Sequence, residues 1–178
     1  MSLKGLKVAI LVEDYFDERE LIYPYYRFKE AGAEVVLVGP KKGAYRSKVG
    51  LEVTAEEAAD PSRCGEFHVV YIPGGYAPDR LRRSRAVLEF VRGVHERRGY
   101  VVAVCHGPWL LISSGLARGR EIAAFRSIHD DVKNAGAKLS DKGYSIDGRV
   151  ATATDPETMV DLFRELIPLL ERAVEGGV

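Results

Sequence analysis

Four nearly unbroken apolar runs constrain this chain more than any other feature: Lys7-Val-Ala-Ile-Leu-Val12, Glu34-Val-Val-Leu-Val-Gly39, Phe67-His-Val-Val-Tyr-Ile72 and Tyr100-Val-Val-Ala-Val104. A strand with one wet face alternates apolar and polar residues, so runs of this kind belong to strands buried on both faces, as in a parallel sheet covered by helices. The intervening segments supply the helices. Asp17 followed by Glu20 has capping-box spacing and opens a helical stretch to about Ala31, which Gly32 ends and Pro24 is expected to kink. Helical patterns return over Ala86 to Arg98, Gly107 to Leu116 and Ile128 to Ala135, and Asp155-Pro156 opens a last helix to about Val174. Short alternating pieces around Gly50, between 44 and 58, predict a small antiparallel excursion. Asp147-Gly148 between two alternating runs predicts a hairpin over 144–152. Strands alternating with helices define an α/β protein with a mostly parallel central sheet.

The 178 residues suit one domain, 1–178, with a core large enough to need neither disulfides nor a metal. Lys and Arg total 26 against 26 Asp and Glu, so no overall field draws the chain to nucleic acid or an anionic membrane. The first apolar run is too short for a signal sequence or a membrane span, which predicts a cytoplasmic protein. Thiols stay reduced there, so a conspicuous cysteine is more naturally a chemical group than a staple. The two cysteines, Cys64 and Cys105, form no Cys-x-x-Cys pair and lie near no His-rich spacing, so neither a metal nor another cofactor is expected.

Cys105 directly follows a buried strand and precedes His-Gly-Pro and a helix. Open α/β sheets bind their ligands at that place, outside the carboxyl ends of the strands. A helix N-terminus lowers a thiol's pKa, and a sharp strand-to-helix turn exposes a nucleophile beside the next backbone N–H, here that of His106. The competing reading is a small apolar cysteine closing a core strand. Pro73-Gly74-Gly75 follows another buried strand, and paired glycines either let backbone approach a ligand or merely make a tight turn. Glu20 reads either as a capping residue or as an acid sharing a cleft with Cys105. His68 reads as a satisfied strand residue, His95 as part of a solvated helix face, His129 as a helix start, Cys64 as an exposed loop residue and Trp109 as helix packing. Arg80, Arg82, Arg83 and Arg85 read as a solvated face or a subunit contact, and less often as an anion site.

Taken in order, Phe16-Asp-Glu-Arg-Glu-Leu-Ile-Tyr-Pro24, Pro73-Gly-Gly-Tyr-Ala-Pro-Asp79, Val104-Cys-His-Gly-Pro108, Leu111-Ile-Ser113, Arg118-Gly-Arg120 and Asp130-Asp-Val-Lys-Asn-Ala-Gly136 resemble the PfpI-type intracellular proteases. That family lies within the class I glutamine-amidotransferase-like superfamily, which also holds the protein deglycases and cofactor-free glyoxalases. The resemblance covers nearly the whole chain. It implies a flavodoxin-like three-layer sandwich with helices on both faces of the sheet. It also implies Cys105 as nucleophile, His106 as its base, Glu20 as the acid touching the cysteine, and amides at Gly74, Gly75 and His106 around an oxyanion. Asp79 matches the acid that reaches the histidine from an adjacent subunit, so a homo-oligomer, dimer or hexamer, is implied. Many relatives carry Glu at Asp17, at the mouth of the site, and Tyr at Phe125.

The resemblance implies either of two chemistries: hydrolysis of small peptides or amides through an acyl-enzyme, or glyoxalase and deglycase chemistry on reactive carbonyls. The second needs only a thiol and one acid/base group. A non-enzymatic alternative is a redox sensor or holding chaperone in which oxidised Cys105 is the signal. A glutamine amidotransferase is set aside, since its distal His-x-Glu pair is absent from 151–160.

Overall fold

The structure is a computed structural model that describes residues 2–177. In chain order its elements are β1 Lys7–Leu11, α1 Glu18–Glu30, β2 Glu34–Gly39, β3 Gly43–Arg46, β4 Glu52–Ala55, β5 Glu57–Ala58, β6 Val69–Ile72, α2 Ala77–Leu81 and α3 Arg85–Glu96. They continue with β7 Tyr100–Val104, α4 Pro108–Ser114, β8 Glu121–Ile122, α5 His129–Asn134, β9 Lys138–Leu139, β10 Tyr144–Asp147, β11 Val150–Ala153 and α6 Pro156–Glu175.

Seven strands form the central sheet in the order β10-β11-β7-β6-β1-β2-β5, and only the β10–β11 pairing is antiparallel. The four apolar runs become β1, β2, β6 and β7. From β1 the chain moves outward to β2, then returns to place β6 on the other side of β1. The order therefore reverses between β1 and β6, and crevices at the carboxyl ends of such strands are where open α/β sheets bind ligands. Helices α1 and α6 pack together, as do α3 and α4, giving the helix layers that bury the sheet. The excursion is present as β3 paired with β4. Arg46 and Glu52 close its register, and the loop beyond them carries Lys48 toward the end of β1.

One core contact ties the fold to the site. Pro24 lies inside α1 and has no N–H, so the carbonyl four residues back, that of Glu20, has no helical donor. The buried hydroxyl of Tyr71 on β6 donates to that carbonyl at 2.6 Å. Tyr71 is itself held edge-on by Phe28 of α1 and Phe163 of α6, with ring centroids 6.4 and 6.1 Å away. The first turn of α1 is thereby pinned to the strand that leads into Gly74.

Several local expectations are corrected. Cys64 is not an exposed loop residue: it is 1% exposed in a tight 3₁₀ turn, Pro61–Glu66. Its sulfur packs where a side chain on Gly93 of α3 would otherwise stand, and accepts from Arg97 Nη1 at 3.2 Å. His95 is half-buried and lies 3.3 Å from Arg120. The hairpin turns through Gly148-Arg149, with Gly148 at φ +60°, because Asp147 still pairs with Val150 and spends its side chain on the Glu121 N–H.

Candidate active site

Cys105 sits one residue past β7 with φ +63°, a conformation that costs a non-glycine residue energy and persists only where its surroundings enforce it. Its N–H donates to Ala153 O at 2.9 Å and its carbonyl accepts from Phe125 N–H at 2.8 Å, so both sides of the elbow are fixed by neighbouring chain. The sulfur stands 3.2 Å from His106 Nδ1. The residue is 9% exposed and lines a cavity of about 490 Å³ whose other walls come from the start of α1, the turn after β6, Lys48 of the β3–β4 loop, Phe125 and Ser127, and Asp155-Pro156 at the start of α6.

Glu20 reaches the same cavity from α1. Its side chain is 1% exposed, and its Oε1 accepts the Gly74 N–H at 2.8 Å. The expected capping box at this helix start is therefore not formed. Asp17 caps α1 through the Arg19 N–H at 3.0 Å, while its own N–H donates to Gly74 O at 3.2 Å. The peptide of Gly74 thus exchanges hydrogen bonds with both ends of the Asp17 to Glu20 turn. A side chain at 74 would meet Cys105 Cβ at 2.6 Å as well as the Glu20 carboxyl, so only glycine lets the three converge.

The same geometry corrects the role of Gly74. Its N–H is spent on Glu20 and is not free for an oxyanion. Gly75 is placed differently. Held at φ +78° by its bridge to Phe16, it directs its amide, like that of His106, at the Cys105 sulfur. Two backbone donors converging beside the sulfur are groups that could hold a developing oxyanion.

Burial dominates the protonation of the site. It pushes the Glu20 carboxyl up to about 7, helped by the charge of Asp17. It also pushes the Cys105 thiol up to about 12, with the Glu20 charge adding to the effect. The expectation of a thiol acidified by a helix N-terminus is not met: the following helix, α4, is short, and removing the thiolate from water outweighs the two amides. Burial lowers His106, and the nearby Lys48 charge lowers it further, so the imidazole is neutral around pH 7. At the mouth, burial raises Asp17, but hydrogen bonds from Arg19 and Lys48, each at 2.8 Å, outweigh it and hold the carboxyl down at about 2.

Phe125, 40% exposed, stacks on the His106 ring with centroids 5.2 Å apart, and Trp109 meets the ring edge-on at 5.1 Å. Trp109 also donates to Asp131 at 2.9 Å, so its packing role includes the histidine. Asp79, on α2, is ion-paired with Arg83 and does not line the cavity of its own chain. Of the four clustered arginines, Arg82 bonds Ser113, Arg83 holds Asp79 and Arg85 holds Glu89, while the buried Arg80 Nε lies 3.6 Å from a Glu13 oxygen without a hydrogen bond. Sequence reasoning missed Lys48, Arg19 and Ser127. The Ser127 hydroxyl lies 3.0 Å from His106 Nε2, and its only sequence signal is its place two residues after Phe125.

A strained cysteine at the carboxyl end of β7, next to the switch point, with histidine, a protonatable glutamate and two amides around its sulfur, makes up the candidate site of a doubly wound α/β fold. Residues 6–169 match the DJ-1/PfpI family, and the chain belongs to that family. It is 34% identical over 166 residues to the deglycase PfpI of Pyrococcus furiosus, covering 93% of this chain and 100% of that one. It is 35% identical over 167 residues to protein/nucleic acid deglycase 2 of Escherichia coli, covering 92% and 97%. Among solved structures it superposes with a TM-score of 0.90 and 36% identity on a two-domain Anabaena variabilis protein with DJ-1/ThiJ/PfpI-like and ferritin-like domains. That match covers 94% of this chain and 48% of the other. Among the described residues, no helix is long and apolar enough to cross a membrane.

Proposed function

We propose that this protein is a cysteine-dependent deglycase and glyoxalase that removes reactive carbonyls. The observation that carries the reading is Glu20: a buried carboxyl raised to about 7, in the cavity of Cys105, both gives and takes a proton near neutral pH. With methylglyoxal, the Cys105 thiol passes its proton to His106 Nδ1 as sulfur bonds the aldehyde carbon. The aldehyde oxygen takes a proton from Glu20, giving a hemithioacetal. The Glu20 carboxylate then removes the hydrogen on that carbon while the neighbouring ketone oxygen takes the proton from His106, forming an enediol. Glu20 reprotonates the second carbon and His106 takes the hydroxyl proton of the first, leaving a lactoyl thioester. Water hydrolyses it to lactate and returns the thiol. The first carbon is oxidised and the second reduced, so no outside oxidant or reductant is consumed.

The raised thiol supports this order of events, because a neutral sulfur must be deprotonated on demand by a neighbour. It weighs against peroxide sensing as the main output, since it is the thiolate that attacks peroxide, displacing hydroxide. We assign a weak peptidase activity to assemblies in which Asp79 of a neighbouring copy reaches His106. We place the protein in the cytoplasm, where the thiol stays reduced. The test is lactate formation from methylglyoxal by wild type, Cys105→Ala and Glu20→Gln. Lactate formed by wild type and lost in both variants is the expected result; turnover that survives Cys105→Ala overturns the mechanism.

A further inference from the structure

We propose that the amino end of the sheet carries a second ligand site, separate from the cysteine cavity, in which Arg97, Arg98 and His68 hold the phosphate of a small phosphate monoester. A cavity of about 450 Å³ opens there, lined by these three residues and by Phe67 and Gly99. It lies where α3 ends and where β6 and β7 begin, so the length of β7 separates it from Cys105. Its volume is that of a small-molecule site.

Arg98 carries the argument. Helix α3 ends in a Schellman motif: Arg98 N–H donates to His95 O at 2.9 Å and Gly99 N–H donates to Val94 O at 2.8 Å. The residue just past the cap in that motif is left-handed and is usually glycine. Here the place belongs to Arg98, at φ +67°, and the glycine follows one residue later. Strain of this kind points to a use for the side chain. The fold supplies none: the Arg98 carbonyl accepts from Arg149 Nη1, a bond any residue at 98 makes, and among the described residues the guanidinium has no partner. Nor does the helix dipole require it, because Arg97, the C-cap at φ −88°, already sets a cation at the carboxyl end of α3 without strain.

Arg97 is held in place beforehand. Its Nη1 donates to the sulfur of buried Cys64 at 3.2 Å, and its Cδ and Nε lie 3.2 Å from where a side chain on Gly65 would begin. Sulfur is a weak acceptor, so most of the guanidinium's donors stay open. The neighbouring Lys7 and Arg63 are both paired with Glu66, whereas among the described residues neither Arg97 nor Arg98 has a carboxylate partner. The third donor is fixed by the backbone. The Lys7 N–H, which can only donate, gives to His68 Nδ1 at 3.0 Å, so the ring proton sits on Nε2, which has no acceptor among the described residues. Two guanidinium forks and an imidazole N–H match the oxygens of a phosphate dianion, and the Phe67 ring offers an apolar wall to the ester group. The carboxyl ends of α3 and α6 bring about half a negative charge each, which leaves the two guanidinium charges in excess.

The experiment titrates phenyl phosphate into the full chain as wild type, Arg98→Gly and Arg97→Gln, with ionic strength held constant by sodium chloride. Calorimetry reads Kd, denaturant midpoints check the fold, and the amide shifts of Gly65 and Gly99 locate the ligand. Saturable binding by wild type that moves those amides is expected. Losing one guanidinium contact to phosphate predicts binding about tenfold weaker or more in each variant. Arg98→Gly should at the same time unfold at a midpoint equal to or above wild type, because glycine accepts the left-handed position. That split separates a ligand contact from a structural role. Wild type without saturable binding, or Arg98→Gly that binds as wild type does, overturns the inference; an Arg97→Gln that fails to fold leaves Arg98→Gly to decide. Gly177 also lines the cavity, so a version lengthened by a few glycines past Val178 tells an added phosphate from the chain's own terminal carboxylate. Unchanged affinity is expected, and phenyl phosphate that binds only to the lengthened chain also overturns the inference.

Discussion

The hydroxyl of Tyr71 on β6 lies 2.6 Å from the main-chain oxygen of Glu20, the carbonyl that Pro24 leaves without a helical donor. A proline that would ordinarily weaken a helix here frees an acceptor, and the acceptor fixes the turn that aims the Glu20 carboxyl into the cavity. Tyr71→Phe keeps the ring and its aromatic neighbours but strands a buried carbonyl. It is expected to cost about 1–3 kcal/mol in denaturant unfolding. Because the stranded group belongs to Glu20, Cys105 alkylation should change as well; a variant as stable as wild type contradicts the account.

Much of this architecture was legible in the order of residues, and the reasons differ by element. The four apolar runs identify β1, β2, β6 and β7 because burial on both faces leaves no room for polar alternation. Asp155-Pro156 marks α6 because its cap is local: Asp155 and Thr158 do form a capping box. The two-residue strands β5, β8 and β9 have no pattern long enough to read. Cys105 is visible from its place after a strand. The inward aim of Glu20 is not, since the same spacing satisfies a cap, and its choice depends on Gly74, 54 residues away. Lys48 and Ser127 arrive from loops that only the folded chain brings to the sulfur. Cys64 was misread for a like reason, because the space it fills is made by Gly93 on another element. Both raised pKa values follow from burial, a tertiary property.

Glu20 should leave a signature in stability against pH. Its folded pKa, about 7, is above the ordinary 4.5, so the folded state holds a proton that the unfolded chain releases between those values. The contribution is complete below about 4.5 and is lost as pH rises through about 7. Wild type should therefore lose stability over that window, by up to a few kcal/mol. Glu20→Gln, which does not titrate, should flatten it. Guanidinium midpoints taken across the window decide the matter; parallel curves for the two proteins refute the assignment.

Gly74 is required by contact. A methyl group at 74 meets Cys105 Cβ at 2.6 Å and runs into the Glu20 carboxyl, both held by backbone that cannot yield without moving the elbow or α1. Gly74→Ala is expected to cost about 1–3 kcal/mol by overpacking. It should also abolish methylglyoxal turnover, since either adjustment separates the sulfur from its acid. A crystal structure of Gly74→Ala with Glu20 and Cys105 undisplaced, or full activity in solution, would show the crowding to be unimportant.

Asp17 controls the charge at the cavity mouth. Its carboxylate neutralises Lys48 and Arg19 at 2.8 Å each, and its charge is the second cause, after burial, of the raised Glu20 pKa. Asp17→Asn keeps an oxygen to cap α1 but removes the charge. Glu20 then loses its like-charged neighbour and faces two unneutralised cations, so its pKa should fall. Lys48 also lowers His106, and with its counterion gone that effect strengthens. Both limbs of the pH profile for methylglyoxal turnover should therefore move to lower pH, and activity should become more sensitive to salt as the freed cations are screened. Stability should fall too: the Asp17 pKa is depressed to about 2 from 3.8, a contribution present above 3.8 and lost as pH falls through 2. That shift corresponds to about 2 kcal/mol at neutral pH. Carboxyl-carbon NMR titration of Glu20 in Asp17→Asn is the direct measurement, and an upward or absent shift would remove Asp17 from the control of the site.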